Sequence, residues 1–290
     1  MKIFICNRLQ AFFVIYAKEI NQLLNNTIFN TDNPVDADYL ITCLSDERNY
    51  PIFGNMEYAN SKIEIKDINT FLNKHFHVKK SQNIVIFYHT PQSVKSNVIT
   101  VCYSKDDTDL HNIVICPPAI KNYTFNNILD KKKYFVSFKG NVNASENRLN
   151  AFNAFKKYND RKNIIIDKTN NNFDYSDLML NSVFCIIIEG DLPWSYRFTE
   201  AINAGSIPII VKPKNKNILA FHELIDYSLF SIIVEPDNID NLMSNILPKL
   251  SVAKISQMLN QLEIVNNKYF ISRQRQMDGL LEILANRKKN

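Results

Sequence analysis

Residues 183–211 confine this chain to a narrow set of folds. Six consecutive apolar residues (183–188) run into Glu189-Gly190-Asp191, and a turn-prone stretch follows. Helical spacing takes over after Ser195, and a second apolar run closes the segment at 207–211. Strand, loop, helix, strand is the unit by which an α/β protein aims a loop and a helix N-terminus at an anion. The chain has only 5 glycines in 290 residues, and two of them, Gly190 and Gly205, fall here. Where glycine is that scarce, one placed directly after a buried strand serves close backbone approach or an unusual φ.

The same alternation runs along the whole chain. Apolar runs at 2–6, 39–43, 84–88, 98–103 and 113–116 read as strands, and residues 11–24 carry apolar side chains at helical spacing (Phe12, Ile15, Tyr16, Ile20, Leu23). Pro117-Pro118 ends this half, and the polar, Lys-rich stretch 121–133 reads as a linker. A second set follows: strands at 134–138, 164–166, 183–188, 207–211 and 231–234, with a helix near 148–158. From Ile239 the pattern is helical to the end, over 239–250 and then 254–284. Short apolar runs alternating with helices predict parallel sheets with helices on both faces. The expected division is an N-terminal domain over 1–125, a second over 126–260, and a C-terminal helix over 261–290 that packs back on the first.

Composition bounds the rest. Hydrophobic content of 46% and charged content of 22% are those of a globular protein. With 34 basic and 29 acidic residues, the net charge of +5 is compatible with nucleic acid, an anionic membrane or phosphorylated substrates, and selects none of them. Nucleic acid is excluded on other grounds, because the Lys clusters lack interleaved aromatics and any recognition motif. The 5 cysteines form no Cys-X-X-Cys and lie in or beside apolar runs, as small buried hydrophobes in a reducing compartment do. Residues 2–6 are too short for a secretory signal and no 18-residue apolar run exists. The expectation is a cytoplasmic protein. Basic residues near the end (Lys268, Arg273, Arg275, Arg287, Lys288, Lys289) raise peripheral contact with the inner face of a membrane, against the plainer reading of a solvated helix face.

Two places carry chemistry. Ser195 stands where an N-cap belongs, with Arg197 and Glu200 three residues apart on the following helix. A helix N-terminus with a guanidinium beside it suits a diphosphate, and a carboxylate one turn further in suits ribose hydroxyls. From spacing alone the other reading stands beside it: a plain cap and a surface i,i+3 pair. Upstream, the strand at 134–138 ends in Lys139-Gly140, and a polar loop leads to Arg148 at a helix start. That arginine is placed either to meet a phosphate or to face solvent.

At these residues the chain resembles the exostosin glycosyltransferase family. YFVSFKGNVNASENRLNAF is similar to the family's strand, Phe-Lys-Gly, variable loop and arginine. SDLMLNSVFCIIIEGDLPWSYRFTEAINAGSIPIIV resembles its best-marked stretch, FHELIDYSLFSIIV a later one, and Asp36-Ala37-Asp38-Tyr39-Leu40 an early strand. The resemblance is strong over 134–234 and faint before it. It departs from the pattern at Ile188-Glu189, where the family often has proline before the glycine, and at Ser206, where it has cysteine.

The resemblance implies a GT-B enzyme: two Rossmann-like domains facing a cleft, with C-terminal helices crossing back. It implies an inverting transferase that works without a catalytic metal or other cofactor. The sugar passes from a nucleotide-sugar, a UDP-sugar in this reading, to a glycan or lipid-linked acceptor in surface polysaccharide synthesis. The donor would be held by Lys139, Gly140, Arg148, Gly190, Ser195, Tyr196, Arg197 and Glu200, and Asp191 is a catalytic candidate whose direction, to the sugar or to the phosphates, stays open. Inversion requires a base on the acceptor hydroxyl. His89, directly after the strand at 84–88, is the candidate, against a structural loop histidine. Asp36 and Asp38 spell an Asp-X-Asp but start a strand, and His75 with His77 has nothing to complete a zinc site. A different class stays open: a non-catalytic nucleotide- or glycan-binding protein that retains the GT-B fold.

Overall fold

The computed structural model describes residues 1–5, 31, 33, 36–43, 83–87, 98–102, 113–115, 123–143, 145–160, 162–168, 173–190, 195–212 and 219–289. The chain divides into two compact units. One comprises Met1–Ile115, Ile218–Phe221 and Gln276–Asn290, the other Cys116–Asn217 and His222–Arg275.

The first unit is built on β1 (Ile3–Ile5), β2 (Tyr39–Cys43), β3 (Asn83–Phe87), β4 (Val98–Cys102) and β5 (Ile113–Val114), all parallel and lying side by side in chain order. Ile3, Leu40, Ile41, Val101 and Ile113 are buried, the unbroken apolar run that marks parallel strands. Two segments from elsewhere in the chain complete this unit. The Tyr39 hydroxyl donates to the Leu284 carbonyl at 3.0 Å, on the C-terminal helix Arg273–Lys289. The Phe221 N–H donates to the Val114 carbonyl of β5 at 2.8 Å. Phe221 is fully buried and has φ 52°, a left-handed conformation that costs a phenylalanine about 1–3 kcal/mol. The Asp-X-Asp pair is spent locally: Asp38 accepts from the Lys2 N–H at 2.6 Å and from Lys288 Nζ at 2.7 Å, and Asp36 from Asn33 Nδ2 at 3.0 Å. His75 and His77 lie outside the described residues.

The second unit holds β6 (Tyr134–Lys139), β7 (Ile164–Asp167), β8 (Ser182–Ile187), β9 (Ile207–Val211) and β10 (Ile232–Val234). They are parallel in the order β10-β9-β8-β6-β7. The chain steps one way from β6 to β7, then crosses back to β8 and continues the other way. Counted within the unit this is the order 2-1-3-4-5 of a doubly wound fold, and its reversal lies between β6 and β8. Helices α1 (Glu146–Lys156), α2 (Tyr175–Asn181), α3 (Tyr196–Ala204) and α4 (Val252–Val265) pack on β7, on β6 and β8, on β8 and β9, and on β9. Two α/β units, each on a five-stranded parallel sheet, are what the GT-B class calls for.

The helical reading past Ile239 is too regular. Residues 242–246 form a π turn and 247–249 a 3-10 turn, and the single helix expected over 254–284 is broken by a second π turn, Asn266–Phe270. The Ile271 N–H reaches back five residues to the Asn266 carbonyl at 2.9 Å. That wider turn lets the adjacent rings of Tyr269 and Phe270 both point inwards, with Phe270 edge-on to Phe198 at 6.0 Å between centroids.

Part of the Lys-rich stretch before β6 has a specific job at two helix ends. A helix leaves its last four carbonyls unpaired, and α2 runs straight into β8 with no loop in which to satisfy them. The Leu178 carbonyl takes Ser182 Oγ at 2.7 Å, and the Met179 carbonyl takes Ser206 Oγ at 2.6 Å. The Leu180 carbonyl takes Lys132 Nζ at 2.8 Å, and the Asn181 carbonyl takes the Lys133 N–H at 2.7 Å. Lys132 Nζ also reaches the Gly205 carbonyl, the C-cap of α3, at 2.8 Å, so one side chain ties together the ends of two helices.

Burial pulls the Lys132 amine down to about 7, from an ordinary 10.5. A neutral amine retains two N–H donors, one for each carbonyl. Because the folded pKa is the lower one, the unfolded chain binds more protons between about pH 7 and 10.5, and the stability owed to this group rises with pH across that window. Chemical denaturation of wild type and Lys132→Met should therefore show the wild type gaining on the variant from pH 7 to pH 10. A gap that does not change with pH would remove this account.

Candidate functional site

The carboxyl ends of β6 and β8 flank the strand-order reversal, the place where open α/β sheets bind ligands. The chain brings four pieces there: Phe138-Lys139-Gly140, Ile188-Glu189-Gly190, and the first turns of α1 and α3. Ser145 caps α1, its Oγ accepting from the Arg148 N–H at 3.1 Å. Arg148 is thereby held in the first turn, 6% exposed, with its guanidinium 5.6 Å from the Phe138 ring. Nε donates to the Asn141 carbonyl at 2.5 Å, and Nη1 to the Ile188 and Glu189 carbonyls at 3.1 and 2.5 Å. Arg148 stitches the loop after β6 to the end of β8.

Arg197 enters from α3 and is 5% exposed. Its guanidinium lies 4.4 Å from the Phe138 ring and 5.6 Å from the Tyr175 ring, and Nη2 donates to the Lys139 carbonyl. Nε and Nη1 are buried with no hydrogen-bond partner. Gly140 makes room for this pair of arginines: a Cβ there would overlap Arg197 Nη2 and stand 3.1 Å from Arg148 Nη2.

One turn along α3, Glu200 is 3% exposed and accepts from the Tyr175 hydroxyl at 2.6 Å. Burial, aided by the Glu200 carboxylate and opposed by Arg197, holds the Tyr175 phenol well above the ordinary tyrosine value, so it stays protonated and serves as a donor. Glu189, at the head of the loop after β8, accepts from Asn147 Nδ2 at 3.1 Å and from Ser145 Oγ at 3.4 Å. A carboxylate of the chain itself therefore sits at the N-terminus of α1.

The expected residues thus fall into groups. Gly140, Arg148 and Arg197 converge at the reversal, and Glu200 joins them through Tyr175. Ser195 is the N-cap of α3 and half-buried, and its side chain makes no capping bond. Tyr196 is 37% exposed, and Gly190 is half-buried at the end of the β8 segment. Lys139 Nζ turns away to the Phe173 carbonyl. His89 and Asp191 lie outside the described residues. Phe138, Asn147 and Tyr175 escaped sequence reading. Asp174 before Tyr175 is a legible N-cap, its Oδ1 accepting from the Asp177 N–H at 2.8 Å, but the partner of Tyr175 is 25 residues away.

Comparison with known proteins bears on the family of the chain. The chain is 26% identical to Exostosin-1 of Drosophila melanogaster over 183 residues, 56% of this chain and 24% of that protein. It is 29% identical to an Exostosin-1 homolog of Caenorhabditis elegans over 119 residues, 41% of this chain and 30% of that protein. The matched stretch thus spans less than a third of either relative's length. Among solved structures it is similar to WaaG, a glycosyltransferase involved in lipopolysaccharide biosynthesis, at 9% identity and TM-score 0.42 over 96% of this chain and 98% of that one. A superposition that loose decides nothing, and the fold class rests on the two parallel sheets. The family model of the Exostosin GT47 domain matches residues 5–250, most of the chain, and the protein belongs to the exostosin GT47 family of glycosyltransferases.

Proposed function

We propose that this protein transfers a sugar, with inversion, from a nucleotide-sugar donor of the UDP-sugar kind to a glycan or lipid-linked acceptor in surface polysaccharide synthesis. Arg197 carries the reading: two nitrogens of its buried guanidinium lack acceptors, a cost that an incoming anion would relieve. A diphosphate meets that need with a bidentate match to the fork of donors. The charge that grows on the leaving diphosphate as the glycosidic bond breaks meets the fixed positive charge of Arg197, and Arg148 keeps the β6 and β8 ends in place around it. Glu200, one turn deeper, takes the ribose hydroxyls. Inversion has the acceptor oxygen attack the anomeric carbon from the face opposite the diphosphate, its proton passing to a base; His89 is our candidate, with Asp191 directed to the sugar.

Of the basic residues near the C-terminus that would face an anionic membrane, Lys288 is engaged by Asp38 at 2.7 Å. No helix among the described residues is long and apolar enough to cross a membrane.

The test is donor hydrolysis across a panel of UDP-, GDP- and CMP-sugars, preceded by thermal-shift binding of the free nucleotides. Release of nucleotide from one donor is the expected result. Binding without turnover on a broad acceptor panel would move the protein to the non-catalytic class, and no binding at all would overturn the site.

A further inference from the structure

We propose that Tyr175 is a positioning residue that locks Glu200 and thereby sets a preference for a ribonucleotide donor over its deoxy counterpart. The inference rests on the nucleotide-sugar reading above and goes beyond it by assigning a determinant of specificity on a different helix. At 2.6 Å the bond from the phenol to Glu200 Oε2 has the length of a strong O–H···O⁻ hydrogen bond. Glu200 is 3% exposed, so water does not compete for that oxygen. The phenol holds its proton, and the bond therefore persists across the working pH range. Asp174 caps α2 and fixes Tyr175 in its first turn, which makes the donor rigid.

With Oε2 pinned by Tyr175, the carboxylate has one orientation. Its other oxygen, Oε1, is the one we assign to an incoming hydroxyl. The geometry fits a vicinal diol next to a diphosphate: Tyr175 stands beside both Arg197, 5.6 Å from its ring, and Glu200. A site built to accept a substrate hydroxyl rejects the analogue that lacks it, because the buried acceptor is then left unpaired. Such rejection needs an acceptor that cannot swing away to another partner. Tyr175 supplies that restraint. Without its hydroxyl, Glu200 can turn to Arg197, and loss of a substrate hydroxyl then costs less.

The experiment is calorimetric titration of wild type, Tyr175→Phe and Glu200→Gln with UDP and GDP, each beside its 2′-deoxy and 3′-deoxy forms. Wild type should bind the ribonucleotide at least ~10-fold more tightly than one deoxy form, the worth of one hydrogen bond to a charged group. In Tyr175→Phe that ratio should shrink several-fold while binding of the diphosphate survives, and Glu200→Gln should shrink it likewise. Because the ratio is taken within one protein, a general loss of stability cancels from it. An unchanged ratio in Tyr175→Phe overturns the role of Tyr175. Equal binding of ribo and deoxy forms by wild type overturns the inference and leaves nucleotide binding standing. If wild type binds no nucleotide, the underlying reading falls with it.

Discussion

Replacing Arg197 by methionine should cut sugar transfer by about 10³-fold while shifting the stability of the unliganded protein by no more than about 2 kcal/mol. The two halves have different causes. In the free protein Arg197 is a mixed asset. Contact with the Phe138 ring at 4.4 Å and the bond to the Lys139 carbonyl are each worth on the order of 1–2 kcal/mol. Against them stands the cost of burying Nε and Nη1 without acceptors, of similar size or larger. Methionine fills much of the same space, gives up the contacts and escapes the cost. With the proposed nucleotide-sugar donor, transfer has no such compensation, because the charge on the departing diphosphate would grow where the guanidinium stood. Arg197→Lys preserves the charge but loses the planar fork, and should fall between the two. Steady-state kinetics with the best donor, beside urea denaturation, reads both halves. Transfer within tenfold of wild type in the methionine variant would remove Arg197 from the site.

Gly205→Ala should destabilise the second unit by roughly 2–4 kcal/mol. Gly205 ends α3 with φ 75°, where only glycine is unstrained. A Cβ would also stand 2.5, 2.8 and 2.9 Å from Asn126 O, C and N. These are backbone atoms and cannot rotate aside as a side chain would. Asn126 is itself held, its N–H on the Ala204 carbonyl at 3.2 Å and its Nδ2 on the Leu180 carbonyl at 3.2 Å. Retreat of Asn126 would pull on the same helix ends that Lys132 ties. Urea denaturation measures the loss; a change under about 0.5 kcal/mol would show that the contact does not constrain this turn.

Much of the second unit is legible in the sequence. Tyr134–Lys139, Ile207–Val211 and Ile232–Val234 fall within a residue or so of their apolar runs, most plainly Ile207–Val211, which is buried at all five positions. Arg148 in the opening turn of a helix, behind the capping Ser145, follows from a local rule whose cause lies within a few residues, whereas Ser195 takes the N-cap position of α3 without a capping bond. The regular helix expected over 254–284 fails at Asn266–Phe270, where burying two adjacent rings outweighs helix period. The polar, Lys-rich stretch 121–133 reads as a linker because a lysine is usually solvated. Lys132 is not, because two helix ends 25 residues apart need a donor at the same point.

The segment 183–211 determined by itself that a loop and a helix start leave a buried strand, and that glycine stands at Gly190 and Gly205. Periodicity and composition suffice for that, because strand, turn and helix are set by neighbours along the chain. Only the tertiary structure decided which of these residues come together. The order β7-β6-β8 places Gly140 against Arg148 and Arg197, and the packing of α2 beside α3 brings Tyr175 to Glu200. Spacing alone left Arg197 and Glu200 open to reading as a surface pair; burial to 5% and 3% exposure excludes that. The physical reason is distance in sequence. A buried charge is defined by the groups that replace its water, and here those groups come from strands and helices tens of residues apart.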